Sequence, residues 1–402
     1  MRIQPLHLKN TVLNYDWGST TAIPELFGLP NPHHQPMAEL WMGAHPKAPS
    51  LLVVPEAGDI PLPKAIEHDP IAMLGRETAA RFDNTFPFLF KVLAAAKPLS
   101  IQAHPSLQQA QAGYQRENAA GIPLTAPNRC YLDQNHKPEL LCALTPFDLL
   151  CGFRPAEEIA HFFQALGIPA LKHLIEPLMR DEHGMGLKSF FGQLMALPTD
   201  ERRDIARTAA ESAARHAQED PAFNWVQRLF AEHPGAIGIL APLFLNLGRL
   251  MPGEGIFLAP GGFHAYLQGV GMEVMANSDN VLRGGLTTKY IDSNELLKVL
   301  NFESQPLLPL KPIERRPAEY VFETSADEFE LAVIHLYPSQ IAAAGGRNRP
   351  EILFCTKGNA VITGSSLDEP LELNRGQSIF IPAQVPEISI EGAAEIFKAS
   401  VP

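Results

Sequence analysis

A glycine turn, a short apolar run and a closing proline occur twice in this chain. The first copy is Gly253-Glu254-Gly255-Ile256-Phe257-Leu258-Ala259-Pro260 and the second is Arg375-Gly376-Gln377-Ser378-Ile379-Phe380-Ile381-Pro382. Glycine supplies turn conformations and proline cannot donate to a ladder, so each copy reads as turn, short strand, turn. A chain that uses this unit twice is constrained to short-stranded β architecture, built as two copies of one fold. The punctuation elsewhere agrees, because 37 prolines and 29 glycines suit many short strands better than long helices. Up to about residue 150 the apolar runs are short and bounded by Pro, Gly and Asn, as in Leu51-Leu52-Val53-Val54 and Phe88-Leu89-Phe90. Helices are predicted there only at Pro70–Phe82 and Pro105–Asn118, the second opening on a proline.

Turn-strand-turn units of this kind build the small double-stranded jelly roll, or cupin barrel. His264 follows the first closing proline by four residues, whereas Pro386 follows the second by four. The second barrel therefore lacks an imidazole that the first carries, and is read as a degenerate copy. From Pro155 the period changes: Ile159, Phe162, Phe163 and Leu166 fall at i, i+3, i+4 and i+7, with Glu157 and Glu158 in the first turn. A second helix is predicted with Thr199 as N-cap, Asp200 and Glu201 at its positive end, and the Ala-rich run to Ala217 as its body. A third runs from Ala222 to about Phe230. The predicted fold is mainly β, two cupin (jelly-roll) barrels with an inserted α-helical domain. Residues 1–154 with 251–312 form the first barrel, 155–250 the helical domain and 313–402 the degenerate barrel.

A length of 402 residues implies two or three domains, and 46% apolar with 19% charged content is globular. The formal net charge of -12 argues against a nucleic-acid surface and an anionic membrane, so any anionic substrate must meet a local cluster of Lys and Arg. Cys130, Cys142, Cys151 and Cys355 form no CxxC pair and read as reduced, mostly buried thiols. Met1-Arg2-Ile3-Gln4-Pro5 lacks the apolar core of a signal peptide, and no run of about 18 apolar residues occurs. The expectation is a cytoplasmic protein that neither enters a membrane nor binds nucleic acid.

Three stretches carry chemistry: Gln102-Ala103-His104-Pro105, His136-Lys137-Pro138-Glu139 and Pro260-Gly261-Gly262-Phe263-His264. Gln102 and His104 are two apart, so on a strand both leave the same face. With Glu139 and His264 they make an N/O donor set suited to a divalent metal, which makes the first barrel the metal-bearing one. The opposing reading treats each His as a satisfied polar residue in a β-rich core.

The same stretches, with several others, resemble the type I mannose-6-phosphate isomerases, a zinc-dependent family with a cupin fold. The resemblance begins at Asn14-Tyr15-Asp16-Trp17-Gly18 and Ala38-Glu39-Leu40-Trp41-Met42-Gly43-Ala44-His45-Pro46. It continues through Lys97-Pro98-Leu99-Ser100-Ile101-Gln102-Ala103-His104-Pro105 and His136-Lys137-Pro138-Glu139. It ends with the run from Glu273 to Thr287 that contains Asn277-Ser278-Asp279-Asn280 and Arg283-Gly284-Gly285. One departure is Thr288, where the family has proline; it touches a loop and leaves the chemistry intact. The last ninety or so residues match only loosely.

The resemblance implies interconversion of D-mannose 6-phosphate and D-fructose 6-phosphate through a cis-enediol. It implies one zinc per chain on Gln102, His104, Glu139 and His264, and a hexose phosphate as the small-molecule partner of a monomer. Ser100, Lys137, Asp279, Arg283 and Lys289 fall on the family's polar active-site positions, with Tyr266 nearby. Arg283 suits charge stabilisation because it does not readily deprotonate, and Lys137 beside a metal suits acid–base work. The carbon-bound proton is left to Asp279 or His136, Asp279 being equally readable as a turn residue and His136 as a supporting one. Phosphate binding is expected from Ser100, Lys91 and Lys289. Glu39, Trp41 and His45 are read as packing and support. Two rivals stand against the isomerase: an iron-dependent cupin oxygenase on His104, Glu139 and His264, and a non-catalytic sugar-phosphate-binding cupin.

Overall fold

Short apolar runs between proline and glycine turns pair into two antiparallel sheets in the computed structural model, which describes residues 2–55, 58–179 and 185–402. The spine of the first sheet is the thirteen-residue strand His264–Ala276. Its first part lies against Phe147–Phe153 and Ile101–Ala103, and its second part lies between Phe88–Ala95 and Glu139–Ala143. Gly269, at φ +140, marks the change of partners. A Cβ there would sit 2.6 Å from the Phe147 ring, so the close crossing requires glycine.

The second sheet repeats this neighbourhood. Gly255–Leu258, Glu139–Ala143, His264–Ala276 and Phe88–Ala95 lie side by side in the first sheet. Ser378–Ile381, Glu351–Thr363, Ile388–Ser400 and Glu330–Leu336 take the same order in the second. The two echo strands therefore occupy matching places, and Pro386 lies just before the long strand that corresponds to the one His264 opens.

The sheets do not respect the expected boundary at residue 313. Leu6–Lys9 pairs with Ser378–Ile381 on one side and with Leu51–Val54 on the other, and Gly58–Pro61 extends the same edge. One apolar cluster joins Leu6, Phe27, Phe88, Phe90 and Met272 to Phe322, Phe354, Phe380 and Phe397. These strands are buried on both faces, and alternate residues such as Phe88 and Phe90 turn toward the shared interior while Leu89 and Leu93 turn to the other side.

Helices occupy the stretch from Ala156–Leu166 to Ala241–Phe244. The predicted 155–250 block ends early, because Leu245–Leu250 is a strand paired with Phe147–Phe153. Thr199 is the first helical residue of Thr199–His216, with Pro198 at the cap and no side-chain bond there. The third predicted helix is longer, Pro221–Glu232, and its cap is Asp220, which accepts from the Ala222 N–H. Gly75 divides the predicted 70–82 helix into Pro70–Leu74 and Arg76–Arg81. Leu107–Ala119 starts instead from a Ser106/Gln109 capping box. A short helix at Ser293–Val299 was not predicted. The helices share their core with the site strands: Phe190, Phe191 and Phe244 pack around Phe153 and Phe263, next to His264.

Removing residues 313–402 should therefore uncover Phe27, Phe88, Phe90 and Met272 and leave Leu6–Lys9 without a partner. The expected result is insoluble protein; a soluble, active product ending at residue 312 would show that the two sheets are independent.

Candidate active site

Register, more than sequence distance, assembles the site. His264 lies opposite Gln102, and Gln102 lies opposite Arg283 on its other side. Opposed residues of antiparallel strands share a face, so the three side chains form one row. His104, two residues beyond Gln102, returns to that face. Glu139 opens its own strand opposite Met275 and Leu258.

His104, Glu139 and His264 are fully buried, with ligand-capable atoms all within 4.8 Å of one another. His104 Nε2 lies 3.4 Å from Glu139 Oε1, and His264 Nε2 lies 3.5 Å from Glu139 Oε2. Each imidazole uses Nδ1 on a backbone carbonyl, His104 on Asn280 at 2.8 Å and His264 on Gly262 at 3.0 Å. With Nδ1–H donating, the Nε2 lone pairs point inward. Both Nε2 atoms and Glu139 Oε2 are buried without a hydrogen-bond partner. Such orphaned donors are costly unless something fills the space between them, and a divalent cation fits their chemistry. Burial pushes the His104 pKa down to about 4, keeping the imidazole in the neutral form a metal requires. Burial alone would raise the Glu139 carboxyl, but Lys137 and the flanking imidazoles bring it well below the usual carboxylate range. Lys137 Nζ stands 3.1 Å from Glu139 Oε1.

Above this cluster lies a cavity of about 260 Å³ whose polar lining includes Gln102, Lys137, Glu139, Asp279, Arg283 and Lys289. Larger clefts, one of about 570 Å³ beside Pro46 and Asn277 and one of about 520 Å³ between the sheets, lack such a convergence of metal donors. Arg283 is half-buried, and burial lowers its pKa. Among the described residues neither Arg283 nor Lys289 has a carboxylate partner, which leaves two cations facing a cavity. Asp279 is a pocket residue and does not cap its own turn: its Oδ1 takes the Lys47 ammonium at 2.8 Å. The turn itself is held by Asp133, which accepts from Ser278 Oγ, the Asp279 N–H and Asn280 Nδ2. Asp133 and Lys47 escaped the sequence reading because the turn residues their side chains hold, Ser278 to Asn280, lie far along the chain.

Four expected residues sit differently. Lys91 is corrected as a phosphate ligand: its ammonium is enclosed by Glu273 Oε2 at 2.6 Å and Glu39 Oε1 at 3.0 Å. Burial alone would lower its pKa, yet the two carboxylates raise it and consume its charge. Tyr266 lines the cavity, but its hydroxyl donates to Glu273 Oε1 at 2.7 Å. His136 is absent from the cavity wall and binds Glu328 Oε1 through Nε2 at 2.6 Å. Ser100 is half-buried and is also absent from that wall. Glu39 supports the pocket twice, holding Lys91 and accepting from Trp41 Nε1 at 2.8 Å. Glu273, missed from sequence, has its carboxyl raised by burial against the pull of Lys91.

The fold and this cluster define a mainly β protein with a buried two-histidine, one-carboxylate cluster suited to a metal, beneath a pocket lined by two cations that have no carboxylate partner among the described residues. Residues 6–156 match the family described as phosphomannose isomerase type I, catalytic domain. The mannose-6-phosphate isomerase of Shigella flexneri is 43% identical over 392 residues, covering 96% of each chain. The Homo sapiens enzyme of that name is 33% identical, covering 95% of this chain and 94% of its own. A crystal structure of a mutant phosphomannose isomerase from Salmonella typhimurium superposes with TM-score 0.93 at 39% identity, covering 99% of both chains. A zinc-bound mannose 6-phosphate isomerase superposes with TM-score 0.91 at 40% identity and the same coverage. The chain belongs to the type I phosphomannose isomerase family.

Elemental analysis checks the metal centre. His104→Ala, Glu139→Ala and His264→Ala should each lose most of the bound divalent ion, because an incomplete shell binds far more weakly. Gln102→Ala should retain more, since water replaces an amide oxygen. Full metal content in His104→Ala would remove the assignment.

Proposed function

We propose that this chain interconverts D-mannose 6-phosphate and D-fructose 6-phosphate through a cis-enediol. Family membership over nearly the whole chain carries this reading, and the uncommitted cations above an orphaned N/O donor set support it. Neither rival gains support: the relatives are isomerases, and a binder has no use for a lysine against a metal carboxylate. Zinc is the ion of a solved relative, and Gln102, His104, Glu139 and His264 would hold one per chain. When bound, it supplies a positive, Lewis-acidic centre beside the sugar oxygens.

The remaining work belongs to side chains. An aldose–ketose exchange needs a proton moved between C1 and C2 and positive charge beside the enediolate. Arg283, in the row with Gln102 and His264, supplies that charge. Lys137, buried at Glu139, handles protons on the sugar oxygens. Asp279, a carboxylate on the cavity wall, takes the carbon-bound proton, and His136, bonded to Glu328, steadies the segment that carries Lys137. Lys289 at the outer end meets the phosphoryl group. Lys91 and Tyr266 hold Glu273 and Glu39 in place beneath the substrate.

The repeated strand order supports two cupin barrels with the 156–244 helices inserted in the first. Among the described residues no helix is long and apolar enough to cross a membrane. Four free cysteines and a phosphorylated sugar substrate support a cytoplasmic setting.

Arg283 tests the mechanism. Charge on the enediolate exists only in the transition state region, so Arg283→Ala should cut kcat by ~10²–10³, the scale of losing one preorganised donor. KM and metal content should change little, because uniform binding and the ligands are retained. Arg283→Lys should recover only part, since an ammonium lacks the planar fork. Near-normal turnover in Arg283→Ala, or loss of the metal, would make Arg283 structural.

A further inference from the structure

The correction at Lys91 leaves the phosphoryl group short of a partner. A hexose phosphate carries close to two negative charges at neutral pH, and Lys289 alone is a thin match. The structure offers a second ammonium, at Lys47, that no motif in the chain marks out. Lys47, in the loop after Glu39–Gly43, has its side chain 57% exposed and its Nζ on Asp279 Oδ1 at the pocket. Its charge reaches Lys289, whose pKa is lowered by burial, then by Arg283 and by Lys47. Lys47 therefore sits on Asp279, which lines the same cavity as Lys289.

That position is unstable toward substrate. Asp279 is one carboxylate of single charge, and the Lys47 side chain that serves it is exposed and four carbons long. An arriving phosphoryl dianion offers the same ammonium a stronger partner, and Lys289 beside it needs no further charge to be neutralised. Asp279 keeps a neighbour when the ammonium leaves. The Lys47 N–H donates to His45 Nδ1 at 3.3 Å, so the proton of this ring sits on Nε2, which faces Asp279 Oδ1 at 3.8 Å. His45 is buried, and burial lowers its pKa, so it remains a neutral donor and does not replace the lost positive charge.

We propose that Lys47 is handed from Asp279 to the phosphoryl group of the substrate, so that binding the phosphate also frees Asp279 to accept the carbon-bound proton. The inference rests on the reading of Lys289 as the phosphate end and Asp279 as the base. It makes Lys47 a specificity-determining residue: an unphosphorylated sugar leaves the ammonium on Asp279 and the base suppressed, which ties turnover as well as affinity to the remote phosphate.

The test uses the metal-loaded enzyme, steady-state kinetics on mannose 6-phosphate, and inorganic phosphate as a competitive inhibitor. Lys47→Met should raise both KM and the phosphate inhibition constant about tenfold, the scale of one lost charge-assisted contact. Its kcat should stay within about threefold, because the ammonium is already off Asp279 in the bound complex. Lys47→Arg should restore most of the affinity. On free mannose, Lys47→Met should be more active than the parent, since the base is no longer neutralised. A lowered kcat with unchanged KM would make Lys47 a fixed support for Asp279, and unchanged inhibition by phosphate would make it a surface lysine; either outcome overturns the handover. Lys289→Met separates this failure from that of the underlying reading. If Lys289→Met weakens phosphate and Lys47→Met does not, the phosphate end stands and the handover falls; if neither does, both fall.

Discussion

A carboxylate with almost no exposure to water, Glu139, sets the terms for the rest of the structure. An uncompensated buried charge costs several kcal/mol, and leaving one without its partner commonly costs ~3–5 kcal/mol. Glu139 is met by one ammonium, Lys137, and by the imidazoles of His104 and His264, the first kept neutral by burial. That arrangement leaves lone pairs converging on one space. The strands exist in the register they do because any slip of one residue would turn Gln102, His264 or Arg283 to the opposite face. The helices contribute indirectly, by packing Phe190, Phe191 and Phe244 behind Phe153 and Phe263 and so fixing the strand end that carries His264.

The same logic operates one layer out. Lys91, Glu39, Glu273 and Tyr266 form a closed set with one ammonium between two carboxylates, and Tyr266 donating to the second. Both carboxylates lie near the cavity, so without Lys91 they would oppose an anionic substrate. Lys91 offsets one of the two carboxylate charges in that layer, and Arg283 and Lys289 face the cavity without a carboxylate partner among the described residues.

Much of this was legible from residue order and some was not. The spacing of Gln102 and His104, the donor chemistry of Glu139 and His264, and the Gly-strand-Pro echo all describe local rules that survive in the fold. Lys91 misled because its neighbours in sequence are apolar, while its partners arrive from other strands: Glu273 opposite it and Glu39 two residues from the opposed Trp41. His136 misled for a similar reason, its partner Glu328 lying far along the chain. The strand at Leu245–Leu250 carried a signal that could have been read, since Leu245, Leu247 and Leu250 and the closing glycine–arginine pair break helical spacing. The pairing of Leu6–Lys9 with Ser378–Ile381 carried none, because a four-residue strand does not name its partner.

That pairing has a consequence for how the molecule comes into being. A ribosome delivers Leu6–Lys9 long before Ser378–Ile381. Until then the outer rim of the early strand is an open template, and the phenylalanines beneath it are uncovered. Contacts of such sequence separation slow folding and prolong exposure to wrong partners. The active-site cavity draws on residues between 15 and 289, all delivered earlier. Catalytic geometry is therefore spelled out well before the chain can close the layer that protects it, and chaperone demand falls on the interval between the two.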